Sequence, residues 1–399
     1  MHSEFSNDTL TVFPAGRIDS YRAPVVERDL LKLIEKIHPK RLILDCSELL
    51  YIASAGLRIL LKVEASVPDI SLINVSREIY ETLELTGFTG LFEIRRAMRE
   101  ISVEGCPVIG SGFSSNVYRI DRETVVKVYL GKVTLERIMR ETASAKKSFV
   151  SGIPTAIPYD VVKVGEHYGT VFELIDAVTL SRAFMDEPER FDELMDNYVA
   201  LLKKFHSTPA PGDTFPDIHK KYHTWAEGLK KYLTDEEVAQ IGRMIDAIPD
   251  REMLIHVDCH CGNVMSQNAK LMFVDMADVS KGHPLVDIGS EYFHYMIMRA
   301  TSLGAKIIFG TEPDDPELPV RVWDELVKRY FAGLEASKFE DLRKMLRYFG
   351  CMRCLIMVAK HAHMEKETAM ELIEMQRKDL FPYIDEAVDL FSRADEFFV

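Results

Sequence analysis

The chain has 399 residues, 47% hydrophobic, 28% charged and 10% aromatic, the make-up of a globular protein with two or three domains of roughly 150 residues each. Its 49 basic and 63 acidic side chains leave a formal charge of −14, which argues against nonspecific binding to nucleic acid or an anionic membrane, since both need basic surface. No apolar run approaches the ~20 residues of a bilayer crossing, the start MHSEFSNDTL lacks the basic-then-apolar order of a secretory signal, and six cysteines make no disulfide framework. The expectation is a cytoplasmic protein with reduced thiols.

Residues 9–13 alternate with period two, as a half-buried strand does. Residues 24–38 place Val25, Val26, Leu30, Leu31, Leu33 and Ile34 at helical spacing, and the apolar run 41–45 suits a buried strand. A second helical pattern follows Ser54, a strand pattern covers 70–75, and a third helix runs through Leu85 to a stop at Gly87. Such alternation predicts a small α/β domain with crossover connections.

Four motifs here, Gly16-Arg17-Ile18-Asp19-Ser20, Leu42-Ile43-Leu44-Asp45, Tyr51-Ile52-Ala53-Ser54-Ala55-Gly56-Leu57-Arg58 and Leu83-Glu84-Leu85-Thr86-Gly87-Phe88, resemble a STAS domain in order and spacing over residues 1–98. The resemblance is to bacterial anti-sigma-factor antagonists, and it implies a regulatory module with a protein partner. It makes Ser54 the candidate phosphoacceptor. A phosphate there would meet the positive end of the helix dipole, although a plain helix cap is the competing reading of the same serine. Ala53 stands where switchable members usually carry Asp.

From residue 101 the pattern changes. Gly110-Ser111-Gly112 is a glycine turn between strand-like runs, and residues 125–129 alternate as a strand carrying one lysine, Lys127, in an apolar setting. Glu141 follows in a helical segment, 135–148, with Glu136 as its rival for the lysine. A strand Lys held by a helix Glu is how kinases grip the phosphates of ATP. Residues 168–175 read as a strand entering a linker, where Glu173 and Ile175 are the candidates for binding adenine.

The strongest signal is Leu254-Ile255-His256-Val257-Asp258-Cys259-His260-Cys261-Gly262-Asn263, followed by an apolar strand into Asp275. Phosphoryl transfer needs a carboxylate to orient an attacking hydroxyl and take its proton. It also needs hard oxygen ligands for Mg²⁺, which Asn and Asp supply. These residues, with Gly282, Pro284 and Asp287, meet the pattern H-x-D-x-H-x-x-N, strand-Asp, G-x-P-x-x-D. The segment resembles the aminoglycoside phosphotransferase/choline kinase family over residues 101–300, and helix 201–207 resembles the one that precedes the catalytic loop there. The resemblance implies an α+β two-lobed kinase-like fold with a helical C-terminal lobe. It makes Asp258 the catalytic base, Asn263 and Asp275 the metal ligands, and His256, His260 and Asp287 supports of the catalytic loop. Ser115 replaces the third glycine of the loop, and Met276-Ala277 follows Asp275 in place of Phe-Gly. Asp287 follows Asp275 by only twelve positions, which leaves no room for a long activation segment and favours a small-molecule acceptor.

Other features weigh less. Cys259, Cys261, Cys351 and Cys354, with His361 and His363, could frame a zinc site, but the spacing is not that of a finger and buried thiols are the default. The acidic run 186–193 is either a solvated helix face or a lip for a cationic substrate. Tyr383, Phe391, Phe397 and Phe398 belong either to an acceptor-site wall or to an ordinary amphipathic helix.

The expected organisation is a STAS-like regulatory domain, residues 1–98, followed by a kinase domain, 101–399, with lobes 101–175 and 176–399. The expected activity is ATP/Mg²⁺-dependent transfer of the γ-phosphate to a hydroxyl of a small molecule. Residues 1–100 carry 13 basic and 15 acidic side chains and the remainder 36 and 48, an imbalance that favours a cationic acceptor. The alternatives are a protein Ser/Thr kinase of a partner-switching system acting on Ser54, and a non-catalytic nucleotide-binding scaffold.

Overall fold

The computed structural model describes residues 2–67, 69–112, 115–131, 133–267, 270–300, 304–360 and 366–398. The chain divides into two units, residues 1–102 with 162–166 and residues 103–161 with 167–399.

The first unit contains β1 (His2–Ser6), β2 (Thr9–Phe13), β3 (Gly16–Ile18), α1 (Ala23–Ile37), β4 (Arg41–Asp45), β5 (Leu49–Ile52), α2 (Ser54–Glu64), β6 (Asp69–Val75), α3 (Arg77–Leu85), β7 (Glu93–Arg96) and the short β8 (Arg99–Glu100). The main sheet has the order β1-β2-β4-β6-β7. β2, β4, β6 and β7 pair parallel, as helical crossovers require, and β1 adds antiparallel to β2. Alternation along β2 buries Leu10 and Val12 completely, and they join Leu42, Leu44 and Leu72 in the core. Asn7 and Asp8, both at positive φ, make the β1–β2 turn, a backbone these two residue types tolerate. Ser54 does not cap α2: extended Ala53 is the N-cap, no side-chain bond closes the terminus, and Ser54 is the first helical residue, exposed. A capping serine must precede the helix to reach the free N–H groups.

The second unit begins with β9 (Val108–Ser111), β10 (Ser115–Arg119), β11 (Thr124–Tyr129), α4 (Leu135–Val150), β12 (Pro158–Val164), whose last three residues count with the first unit, and β13 (His167–Glu173). Their sheet order is β12-β13-β11-β10-β9. Thr134 caps α4 by accepting the Arg137 N–H. Next come β14 (Val178–Thr179), α5 (Leu180–Asp186), α6 (Phe191–His206), α7 (Ile218–Ala226) and α8 (Asp235–Asp246). Three short pairings then surround the loop 256–263, from β15 (Met253–Ile255), β16 (Val264–Gln267), β17 (Lys270–Phe273) and β18 (Ser280–Gly282). β15 pairs antiparallel with β18, and β16 bridges β14 and β17. The chain closes with α9 (Leu285–Tyr292), α10 (Gly304–Phe309), α11 (Leu318–Tyr330), α12 (Phe339–Lys360), α13 (Lys366–Asp379) and α14 (Ile384–Ser392). α6, α7, α9, α11 and α12 share one hydrophobic core. No helix among the described residues is long and apolar enough to cross a membrane.

Candidate active site

β11 carries Lys127 between buried Val126 and Val128. Its Nζ lies 2.7 Å from Glu141 Oε1 on α4 and 2.9 Å from Asp275 Oδ1, 148 residues further on. Burial works against the ammonium, but the charges of Asp275 and Glu141 outweigh it and raise the pKa above the ordinary lysine value. Glu136, the rival, is solvent-exposed and faces Arg140 at 3.9 Å. Gly110 lies within β9, paired with Val117 of β10, and Gly112 follows the strand, its N–H donating to Ser115 O at 2.8 Å. Neither takes a positive φ, so their use is backbone clearance rather than conformational freedom.

Asp287, wholly buried at the start of α9, organises the loop 256–263. Its Oδ2 accepts from His256 N at 2.7 Å and Oδ1 from Val257 N at 2.6 Å, while His206 Nε2 approaches Oδ2 at 2.9 Å. The pair of backbone bonds holds Val257 at φ 72°, a left-handed conformation that a β-branched residue resists. Burial would push the Asp287 carboxyl up, but the His206 contact and the backbone bonds hold it below its ordinary value. His256 packs against Phe205 and Phe273, and its Nε2 donates to Val274 O at 3.1 Å. This ties the loop to the segment before Asp275. β17 ends at Phe273, so Asp275 lies two residues past the strand, at φ 58°.

Asp258 follows Val257, and Asn263 Nδ2 donates to its carbonyl at 2.9 Å and approaches its Oδ2 at 3.4 Å. With Nδ2 spent on the loop, Asn263 keeps Oδ1 as a donor, and the half-exposed Asp275 carboxylate adds another. This hard oxygen set fits Mg²⁺. His260 acts within the loop: its Nδ1 accepts the Gly262 N–H at 3.1 Å. Burial, with His294 beside it, pushes its pKa down to about 3.

Two residues at this site carry no motif. His294 Nε2 lies 3.3 Å from Asp258 Oδ1, and Arg353 Nη2 lies 3.4 Å from the same oxygen and 3.1 Å from Val257 O. Burial alone would raise the Asp258 pKa. The contact from His294 and the positive charge of Arg353 hold it well below the usual carboxylate range. Arg353 had one legible signal, a lone arginine in the otherwise apolar stretch 351–358 of a helix, because arginine is rarely buried without a partner. Asp258, His260 and His294 could together suggest a metal site. However, His260 Nδ1 is an acceptor, so the neutral ring carries its proton on Nε2 and has no lone pair for an ion.

The remaining candidates separate from this cluster. Glu173 is tied to Ile157: its carboxylate accepts Ile157 N–H at 2.8 Å and its own N–H donates to Ile157 O. Ile175 O accepts from Ala177 N–H. Cys259, Cys261, Cys351 and Cys354 are buried free thiols, and burial pushes Cys351 up to about 12 and Cys259 well above its ordinary value. His361 and His363 lie outside the described residues. In the acidic run, Arg182 pairs with Asp186 and Arg190 with Glu187 and Glu193, while Arg329 holds Asp192. Phe391, Phe397 and Phe398 are buried in the common core, and Tyr383 stacks on Tyr348.

Residues 105–323, more than half of the chain, match the phosphotransferase enzyme family. The chain belongs to that family. Residues 1–101 match the STAS domain, so the phosphotransferase carries a STAS domain ahead of its kinase-like fold. Among solved structures it is similar to the streptomycin-ATP-APH(2")-IIa ternary complex, at 17% identity over 79% of this chain and 98% of that one, with a TM-score of 0.46. It is also similar to aminoglycoside phosphotransferase APH(2'')-Ib with ADP bound, at 15% identity, 79% and 99% coverage and a TM-score of 0.45. A choline/ethanolamine kinase family protein from Mesorhizobium loti gives 14%, 72% and 92%, and 0.48. No curated protein matches the chain significantly. The assignment rests on the family match alone.

Proposed function

We propose that the phosphotransferase moves the γ-phosphate of ATP to a hydroxyl of a small molecule, with residues 101–399 as the kinase domain and residues 1–98 as a regulatory or interaction module. The convergence of Lys127, held by Glu141, on Asp275 is the observation that carries this reading. Lys127 grips the phosphates, the glycine turn covers them, and the backbone near Glu173 and Ile175 takes the adenine. Asn263 and Asp275 hold Mg²⁺, which when bound neutralises charge on the transferring phosphate. Asp258, ionised at neutral pH because its pKa is low, orients the acceptor hydroxyl and takes its proton. The acceptor oxygen bonds to the γ-phosphorus as the bridge to the β-phosphate breaks, and ADP leaves.

The acidic excess of the second segment favours a cationic acceptor. ADP release with Mg²⁺-ATP, screened over aminoglycosides, amino alcohols and neutral sugars, tests this. Acceptor-dependent release that disappears in Asp258→Ala is the expected result, and release unaffected by that change would falsify the assignment. Ser54, exposed and free of any capping bond, favours a second reading in which the acceptor is a protein serine. Intact mass after incubation with Mg²⁺-ATP decides it, because phosphate on Ser54 adds a fixed increment that Ser54→Ala removes.

A further inference from the structure

We infer that His294 is a positioning residue for the Asp258 carboxylate, delivered to the catalytic loop by a π-helical turn. The inference rests on the phosphotransfer reading above. α9 leaves Asp287 at its first turn and then continues through Phe293–Ile297 as a π-helix. Such turns are rare and concentrate at functional sites, where the extra residue re-aims side chains. Here two consecutive residues reach the same loop. Tyr295, wholly buried, accepts the Cys261 N–H on its hydroxyl at 3.0 Å, and His294, 5% exposed, approaches Asp258 Oδ1 at 3.3 Å.

A carboxylate only accepts hydrogen bonds, so the proton of the His294 ring resides on Nε2 and is donated to Asp258. Nδ1 is buried and has no partner among the described residues, which leaves the ring addressed to Asp258 alone. His260 packs edge-on against it at 4.7 Å between centroids and restricts its rotation. Arg353 also reaches Oδ1, but it holds the Val257 carbonyl as well and so braces the loop backbone. Asp287 holds that backbone independently. His294 therefore fixes the orientation of one carboxylate, while the loop stands without it. Its loss removes the shortest of these contacts and leaves the Asp258 carboxylate to the longer approaches of Arg353 and Asn263, both 3.4 Å, so that it meets the hydroxyl less often in the right orientation, while nucleotide binding through Lys127 is untouched.

The test compares His294→Leu and His294→Gln in the full chain, using background hydrolysis of Mg²⁺-ATP with water as acceptor. The Leu variant should lose up to about 10²-fold in kcat, the scale that misplacing a reacting group costs, at an unchanged KM for ATP. The Gln variant places an amide N–H near the Nε2 position and should recover most of the loss. Wild-type kcat in the Leu variant, or equal losses in both, overturns the inference. Should the Leu variant unfold, ¹⁵N-histidine NMR supplies a readout independent of turnover. The His294 ring resonance, located by its absence in His294→Gln, should show a protonated Nε2 that shifts in Asp258→Ala, and an unmoved resonance counts against the contact. Hydrolysis that survives Asp258→Ala sinks the phosphotransfer reading itself; hydrolysis lost there but kept in His294→Leu sinks this inference alone.

Discussion

Asp287 holds the loop that carries Asp258 through its backbone alone. Its two oxygens take consecutive N–H groups and keep Val257 left-handed, a conformation that costs about 1–3 kcal/mol and persists only where its surroundings enforce it. Asp287→Asn turns one acceptor into a donor facing a buried N–H. A loss of about 3 kcal/mol of stability is expected, the upper range for an unsatisfied buried group, with most of the ADP release lost as well. Chemical denaturation beside the activity assay checks both, and a variant of wild-type stability would remove Asp287 from this role. The sequence shows such residues where chemistry fixes type and spacing together, as in Asp258, Asn263 and Asp275, or Lys127 with Glu141. His294 escapes that reading because a π-helical turn has no residue signature, and Arg353 because nothing in the spacing says which loop a distant helix will face. Glu141 over Glu136 is settled only by geometry, since both lie on α4.

At the level of elements, α9 and α12 bring these parts together through a reciprocal contact. A Cβ at Gly289 on α9 would lie 2.5 Å from the Phe349 ring on α12, and one at Gly350 on α12 would lie 2.6 Å from Tyr292 on α9. The two helices close on each other because each offers a glycine to the other's aromatic ring. α9 runs into the turn bearing His294, and α12 carries Arg353. Gly289→Ala should therefore lower stability by about 1–3 kcal/mol through overpacking and reduce kcat beyond what a surface change in α8 would. Thermal unfolding and initial rates measured together test this, and an unchanged melting temperature would mean the contact relaxes freely. Elements with clear periodicity, such as β2, β4, α1 and α2, were readable in sequence. Polar edge strands were not: β1 is His-Ser-Glu-Phe-Ser and β7 is Glu-Ile-Arg-Arg, and at an edge the ladder rather than burial makes the strand. The role of Ser54 in α2 also needed coordinates, because capping depends on which residue is still extended when the helix begins.

For the whole molecule, the buried histidines set the response to acid. His260 and His283 are both pushed down to about 3, chiefly by burial, from an ordinary 6.5. Between these values the unfolded chain binds the extra protons, so stability is complete above about pH 6.5 and is lost as pH falls toward 3. The melting temperature should fall steadily from pH 7 to pH 4.5, and less steeply in His283→Asn. A flat profile over that range would show that these rings are not held neutral by the fold. The −14 charge, read at first as a property of the whole chain, belongs almost entirely to the residues after 100. Its value for acceptor choice is read from the screen, since cations of this segment are already paired with carboxylates: Lys221 and Lys360 with Asp278, and Arg353 with Asp258. The most direct measurement is ATP affinity by calorimetry, set beside Mg²⁺-dependent ADP release, for the full chain and Asp258→Ala. Unchanged affinity with release abolished is the predicted result; equal release from both proteins would contradict Asp258 as the base and, with it, the assigned site.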